Sequence, residues 1–559
     1  MARMSPLRNE EATASTDVRR AVLRLQRGVQ RLMQAELRAV TGGDTPALER
    51  YEREYLREFR RQHELASLGD LVQAILETDV FFVGDYHTLR QSQDLARRLL
   101  ERAAADTRPL VLAVEMVLQS HQEHLDAYMR GDLGDAEFLE AIRYRRTWNF
   151  DWENYRPLFE TARRLGVHVV GINHLSRAGR NLQDRDEAIA DALMESIRER
   201  PQARLMVLVG DLHLAATHLP RALDRRLEAQ DLERRRLVVF QNADSLYWSL
   251  AERGAGREAQ VVRLGPDRYC VMEVPPFVKL QSYLSWERAL ERLGDTDDGE
   301  EVALDQSANG LFEALVRQMA RFFGVPALVN RCEVLTGLDE AFFAAVESHG
   351  ALDERRVREI HLLAFGNRSC FVPELDLVYL PFLSVNHAAE EAMHVLHAAL
   401  TGPTQASGDA YEDFYARAWD AAVGFLGSKL VNPHRRAVGE AEYREFLRTA
   451  SRRLHEPRLA FRKLVARFVV QHLEHERMRL QGSRGRLKQI YEQDAGLVLE
   501  VSVAVGYLLG ERLADTVLAG ILGAAELRPL VFADPRQRPS ERYFALHRAL
   551  AATSAPAPA

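Results

Sequence analysis

Residues 80–87 read VFFVGDYH, and residues 205–213 read LMVLVGDLH. Each is a short apolar run that stops at Gly-Asp-x-His. An uninterrupted apolar run of this length, closed by a glycine, predicts a strand buried on both faces of a sheet. Residues 110–116, LVLAVEM, form a third such run and end in an acid, Glu115. In parallel α/β sheets, ligands gather beyond the carboxyl ends of the strands. Two histidines and a glutamate at three such ends, His87, His213 and Glu115, therefore predict a site on one rim. A carboxylate inside an apolar strand needs a partner or a task.

The pattern around these runs is strand–helix alternation. Strands are expected at 80–83, 110–116, 167–172, 205–209 and 237–241, with a last pair near 260–274, and helices between them. Such repetition requires crossover helices and a mostly parallel sheet. The fold expected is α/β: a mostly parallel sheet flanked by helices, with an N-terminal helical arm and a large C-terminal all-α domain. The boundaries read as 1–64 for the arm, 65–280 for the α/β domain and 281–303 for a Gly/Asp-rich linker. The all-α domain follows at 304–530, and a tail at 531–559 ends in ATSAPAPA, the composition of a disordered end. In the arm, the run from Glu49 to Glu64 is thick with Glu/Arg pairs at helical spacing and reads as a solvated face.

Composition narrows the function classes. A chain of 559 residues exceeds one hydrophobic core. Its net charge of −7 argues against a nucleic-acid binder held by a basic surface. Cys270, Cys332 and Cys370 are too far apart for a CxxC zinc site or a disulfide framework. The apolar stretch from Ala495 to Leu522 is broken by Glu500, Glu511, Arg512 and Asp515, so it reads as a buried helix pair rather than a membrane span. The N-terminus lacks an apolar leader, which makes the cytoplasm the expected compartment. A small-molecule ligand is the expected partner.

The order GDYH, VEM, the aromatic stretch 148–158 (WNFDWENYRPL), GVHVVGIN at 166–173, Arg185-Asp186 and LVGDLH resembles the ChaN-like haem-binding domain of the Tiki/TraB/erythromycin-esterase superfamily. The resemblance covers about residues 65–275. It implies a rim site of His87, Glu115, Arg185, Asp186 and His213, with Asp85 and Asp211 as neighbours and haem as cofactor. Asp85 stands where the family has glutamate. The resemblance further implies a tyrosine on the haem iron, for which Tyr86 and Tyr155 are the candidates. Trp148, Trp152 and Tyr155 would offer a flat face to a porphyrin or pack as core. The alternative function is a metal-assisted or general-base hydrolase of an ester or amide, in which Glu115 and the histidines activate water. No G-x-S-x-G elbow supports a covalent acyl-enzyme.

The helical half carries one separate cluster, SVNHAAEEAMHVLH at 384–397. His387, Glu391 and His394 are spaced i, i+4, i+7 and share about one helix face, which suits a divalent metal. A second Glu-x-x-His, needed for a di-iron site, is missing. The bland reading is a polar network between helices.

Overall fold

The computed structural model describes residues 6–41, 46–60, 63–174, 182–254, 260–294, 300–326, 332–337, 340–403, 407–450, 457–483, 491, 493–532 and 538–554. The chain divides into two compact units: Met33–Gly294, and Met1–Leu32 together with Asp295–Ala559.

The first unit is built on an eight-stranded sheet. Its strands are β1 (Glu64–Ala66), β2 (Val80–Asp85), β3 (Leu110–Leu118), β4 (His168–Asn173), β5 (Arg204–Gly210), β6 (Arg236–Gln241), β7 (Val261–Gly265) and β8 (Arg268–Val271). Their order across the sheet is β1-β7-β8-β6-β2-β5-β3-β4. From β8 to β4 every pairing is parallel, while β7 and β1 add an antiparallel edge. The three apolar runs are thus adjacent central strands, and every residue of β2, β3 and β5 is buried.

Alternation explains why these runs are continuous rather than patterned. Phe81, Val83, Leu112, Val114, Met206 and Leu208 enter the core on one face of the sheet. Val80, Phe82, Val111, Ala113, Leu205 and Val207 enter the core on the other. Successive side chains point to opposite faces, and both faces are covered by helices, so each position is selected to be apolar. Fully burying one such side chain contributes about 1.5–3 kcal/mol.

This unit starts upstream of residue 65. The helix Pro46–Arg57 lies in it, and Tyr51, Tyr55 and the following Phe59 are 6–8% exposed. The charged run read as a solvated face therefore hides an aromatic stripe at i, i+4, i+8. At the other end, the helix Pro276–Gly294 occupies the first part of the stretch read as linker, whose residues 295–299 lie outside the described residues. So do residues 555–559 of the tail.

The second unit is dominated by long helices, including Glu300–Phe323, Val385–Thr401, Ala410–Val431, Pro457–Leu480 and Ala495–Leu518. It also holds a small sheet that the sequence pattern does not announce: β9 (Glu333–Thr336), β10 (Cys370–Val372) and β11 (Leu377–Leu380), in the order β10-β11-β9. Strands of three or four residues are too short to show a period. The stretch read as a helix pair is one helix, Ala495–Leu518. It packs tightly on Ala410–Val431 because Gly506 and Gly510 face that helix. A Cβ on Gly506 would come within 2.7 Å of the Ala421 Cβ, and one on Gly510 within 3.0 Å of the Ala422 Cα. Among the described residues no helix is long and apolar enough to cross a membrane.

Candidate functional site

Parallel register brings the predicted rim together. Asp85 of β2 pairs with Gly210 of β5, and β3 pairs with β5 as far as Val114 opposite Leu208. Beyond Val114 the β3–β4 register shifts, and Glu115 sits at the start of that irregularity. Such breaks re-aim a side chain. Here Glu115 is turned toward β5, where its Oε2 accepts the Gly210 N–H at 2.8 Å. Its Oε1 accepts from Arg185 at 2.7 Å and lies 3.6 Å from His213 Nε2.

The two histidines flank Gly210. A Cβ on this glycine would sit 3.2 Å from His87 Nε2 and 3.5 Å from His213 Cδ2. His87, Glu115, Arg185, Asp186 and His213 thus form one cluster. The two Gly-Asp-x-His copies are not equivalent, however. Asp85 holds its own histidine, with Oδ2 at 2.9 Å from His87 Nδ1, and also accepts the hydroxyl of Tyr155 at 2.7 Å and the amide of Gln93 at 2.5 Å. Asp211 turns away from His213 and accepts the Tyr55 hydroxyl at 3.1 Å. His213 Nδ1 is held instead by Asp186 at 2.6 Å, and the Tyr51 hydroxyl donates to the same carboxylate at 2.8 Å.

Tyr51 and Tyr55 were not among the residues picked out by sequence. The signal that marks them is their one-turn spacing with Phe59, masked by the surrounding Glu and Arg.

Burial sets the electrostatics. Glu115 is 1% exposed, which by itself would raise its pKa. The charges of His213, Arg185 and His87 and the Gly210 N–H outweigh this and hold it below the usual carboxylate range. Asp211 has less help. Burial pushes it up to about 6 despite the nearby Lys279 and the Tyr55 hydrogen bond, and among the described residues its Oδ1 has no hydrogen-bond partner. At His87 burial disfavours the imidazolium, but the hydrogen bond and charge of Asp85 and the charge of Glu115 prevail and raise the pKa.

Most of the cluster is closed off. The His213, Asp186 and Glu115 side chains are 2–5% exposed, whereas His87 is 24% and Arg185 30% exposed. His87 Nε2 has no hydrogen-bond partner among the described residues. Its ring is walled by Trp148 at 4.5 Å and Phe150 at 4.8 Å, and Phe150 stacks on Trp286 at 4.6 Å. Trp152 instead packs into the core against Phe138 and Phe159. The two tyrosines read as iron ligands are poorly set for that role. Tyr155 is fully buried and spends its hydroxyl on Asp85, which drives its pKa well up. Burial pushes Tyr86 to about 12, and its ring lies under Lys279. An imidazole with Nδ1 fixed by a carboxylate and Nε2 free is the usual form of a histidine that ligates iron. His87 and its aromatic walls therefore fit haem; the phenols do not.

The helical cluster behaves otherwise. His394 Nδ1 bonds Glu391 at 2.9 Å, and its Nε2 bonds the Asp420 carbonyl at 2.9 Å. Glu391 also accepts from Ser369 at 2.7 Å. Against the cost of burial, the Glu391 and Glu390 charges raise His394 to about 10, so it is an imidazolium with both nitrogens occupied. His387 does not join it and packs beside Phe382. Among the described residues no group of three or more His, Cys, Asp or Glu side chains is arranged to hold a metal ion. With both nitrogens of His394 so occupied, its imidazolium has no lone pair to give a metal.

Residues 71–184 match the family model described as haem-binding uptake, Tiki superfamily, ChaN. Those residues lie within the α/β unit. Two solved structures are similar. One, described as cofacial heme binding to ChaN of Campylobacter jejuni, is 16% identical, with 32% of this chain and 87% of that chain covered and a TM-score of 0.27. The other, the type III effector HopBA1, is 17% identical, with 33% and 87% covered and a TM-score of 0.23. No curated protein matches the sequence.

Proposed function

We propose that the α/β unit binds haem or a related planar ligand in haem or iron handling, with His87 Nε2 as the iron ligand. The observation that carries this is the half-open His87 imidazole, oriented by Asp85 and walled by Trp148 and Phe150. The match of residues 71–184 to a haem-binding family model supports it. Asp85 fixes the tautomer that leaves Nε2 outward and raises the basicity of the ring. The aromatic walls exclude water from the ligand face, and Arg185, at the open edge, supplies positive charge for a carboxylate.

Titration of the full-length protein with hemin tests the reading. A saturable Soret shift is expected at micromolar protein, weakened at least about tenfold in His87→Ala, the scale of losing one strong ligand contact. Tyr155→Phe should leave the band position unchanged. Absence of a saturable shift removes the haem reading, and loss of the shift in Tyr86→Phe but not His87→Ala moves the iron to the phenol.

A general-base hydrolase is favoured by a different observation. His213 lies between two carboxylates, Asp186 at 2.6 Å from Nδ1 and Glu115 at 3.6 Å from Nε2, an arrangement able to pass a proton. Hydrolysis of p-nitrophenyl acetate that disappears in Glu115→Gln would support it. Equal rates in the variant and wild type would dismiss it.

A further inference from the structure

The helical unit contains a cavity of about 740 Å³, within the range that buries a drug-sized molecule. It is formed by one face each of the helices Val385–Thr401, Ala410–Val431, Ala495–Leu518 and Glu354–Phe365. Along the first of these the lining runs from His387 to Ala398, roughly 16 Å at the rise of an α-helix. The lining is therefore extended along this helix.

Its walls differ in character. Ala421, Leu499 and Val503 pack as an apolar cluster with Leu363. Leu499 and Val503 stand at i, i+4 on Ala495–Leu518, and with Ala421 and Leu363 from two neighbouring helices they make an apolar strip. The wall from Val385–Thr401 is polar, and most of its groups are spent on one another. Glu390 Oε1 accepts from Tyr507 at 2.6 Å and its Oε2 faces Arg435 at 2.8 Å. Glu391 is taken by Ser369 and His394.

Among the described residues four buried wall atoms make no hydrogen bond: Arg417 Nε, His387 Nδ1, and the Glu390 Oε2 and Arg435 Nη1 that face each other as an ion pair. Arg417 reaches Glu359 only at 3.6 Å, and Glu359 is shared with Arg356. Burial lowers the Arg417 pKa even with Glu359, Asp413 and Asp420 nearby, the mark of an under-compensated cation. A buried guanidinium N–H without an acceptor is costly. Outside that ion pair, Arg417 Nε is a donor without an acceptor among the described residues.

We propose that this cavity binds an elongated amphipathic organic acid. Its anionic head meets the Arg417 guanidinium, and its apolar body lies along Leu363, Leu499 and Val503. The proposal is independent of the haem reading, since every residue it uses belongs to the helical unit.

The probe is anilinonaphthalene sulfonate, an apolar ring system with one anionic group, followed by fluorescence with the full-length protein. Saturable binding is expected, with dodecanoate competing. Phenylnaphthylamine, the same rings without the sulfonate, should bind at least about tenfold more weakly, the scale of one charge-assisted hydrogen bond. Arg417→Gln should weaken the sulfonate by a similar factor and Arg417→Lys by less. Val503→Trp, which fills the apolar strip, should abolish binding with unchanged far-ultraviolet circular dichroism. His87→Ala should have no effect, which separates this site from the α/β unit. Equal affinity for the charged and neutral probes, or unaltered binding in both Arg417→Gln and Val503→Trp, overturns the proposal.

Discussion

Gly84→Ala is the substitution whose cost the geometry defines most sharply. A Cβ on Gly84 would fall within the Asp211 carboxylate, with its Cγ at 2.8 Å and Leu214 Cδ1 at 3.2 Å. Asp211 is 7% exposed and Leu214 fully buried, so neither has solvent to move into. Displacing the carboxylate breaks its hydrogen bond from Tyr55, itself buried, and leaves that hydroxyl without a partner. The orphaned hydroxyl costs about 1–3 kcal/mol, and overpacking adds about 1–3 kcal/mol. The expected loss is therefore about 2–6 kcal/mol. Gly210→Ala is the matched control in the second motif copy. Its Cβ would meet His87 Nε2 at 3.2 Å, but His87 is partly exposed and its ring has room to yield. That variant should lose less than about 1 kcal/mol while shifting the His87 imidazole. Denaturant unfolding followed by tryptophan fluorescence reads the difference, because Trp148, Trp152, Trp248 and Trp286 all lie in the α/β unit. Gly84→Ala within about 1 kcal/mol of wild type, or equal costs for the two variants, would refute the packing argument.

The Asp211 pKa, raised from 3.8 to about 6 by burial, makes a pH prediction. Protonated Asp211 contributes stability that is full below about pH 3.8 and lost as pH rises through about 6, an amount near 3 kcal/mol at 1.36 kcal/mol per pH unit. The stability of Asp211→Asn relative to wild type should rise by about that amount between pH 4 and 7, and a flat difference would sink the assignment. His394 runs over a higher window: its pKa is raised from 6.5 to about 10, so its contribution is full below pH 6.5 and lost as pH climbs through 10. Thermal melts across pH 7–10 should show wild type losing stability that His394→Gln does not lose. Metal analysis after dialysis should find the same first-row metal content in wild type and His394→Ala; metal lost only in the variant would restore the metal reading.

The sheet was legible because its signal is local. A strand covered on both faces must be apolar at every position, and residues 80–83, 110–114 and 205–209 state that directly. Parallel crossovers oblige strand ends to share an edge, so His87, Glu115 and His213 are expected on one rim from the sequence. The short strands Glu333–Thr336, Cys370–Val372 and Leu377–Leu380 were not legible, since three or four residues hold no period.

Which carboxylate holds which histidine was decided only by tertiary structure. Both motifs carry the aspartate two residues before the histidine, yet Asp85 bonds His87 while Asp211 bonds Tyr55, leaving His213 to Asp186. The same holds for Tyr51 and Tyr55, which sit in a run of Glu and Arg and still reach the site. In the helical unit, Glu391 and His394 have metal-ligand spacing, but a carbonyl from Asp420 on another helix takes the second nitrogen. Apolar burial follows a repeating pattern because any neighbouring apolar group serves. A buried hydrogen bond is satisfied by one particular atom about 3 Å away, and that atom comes from wherever in the chain folding happens to deliver it.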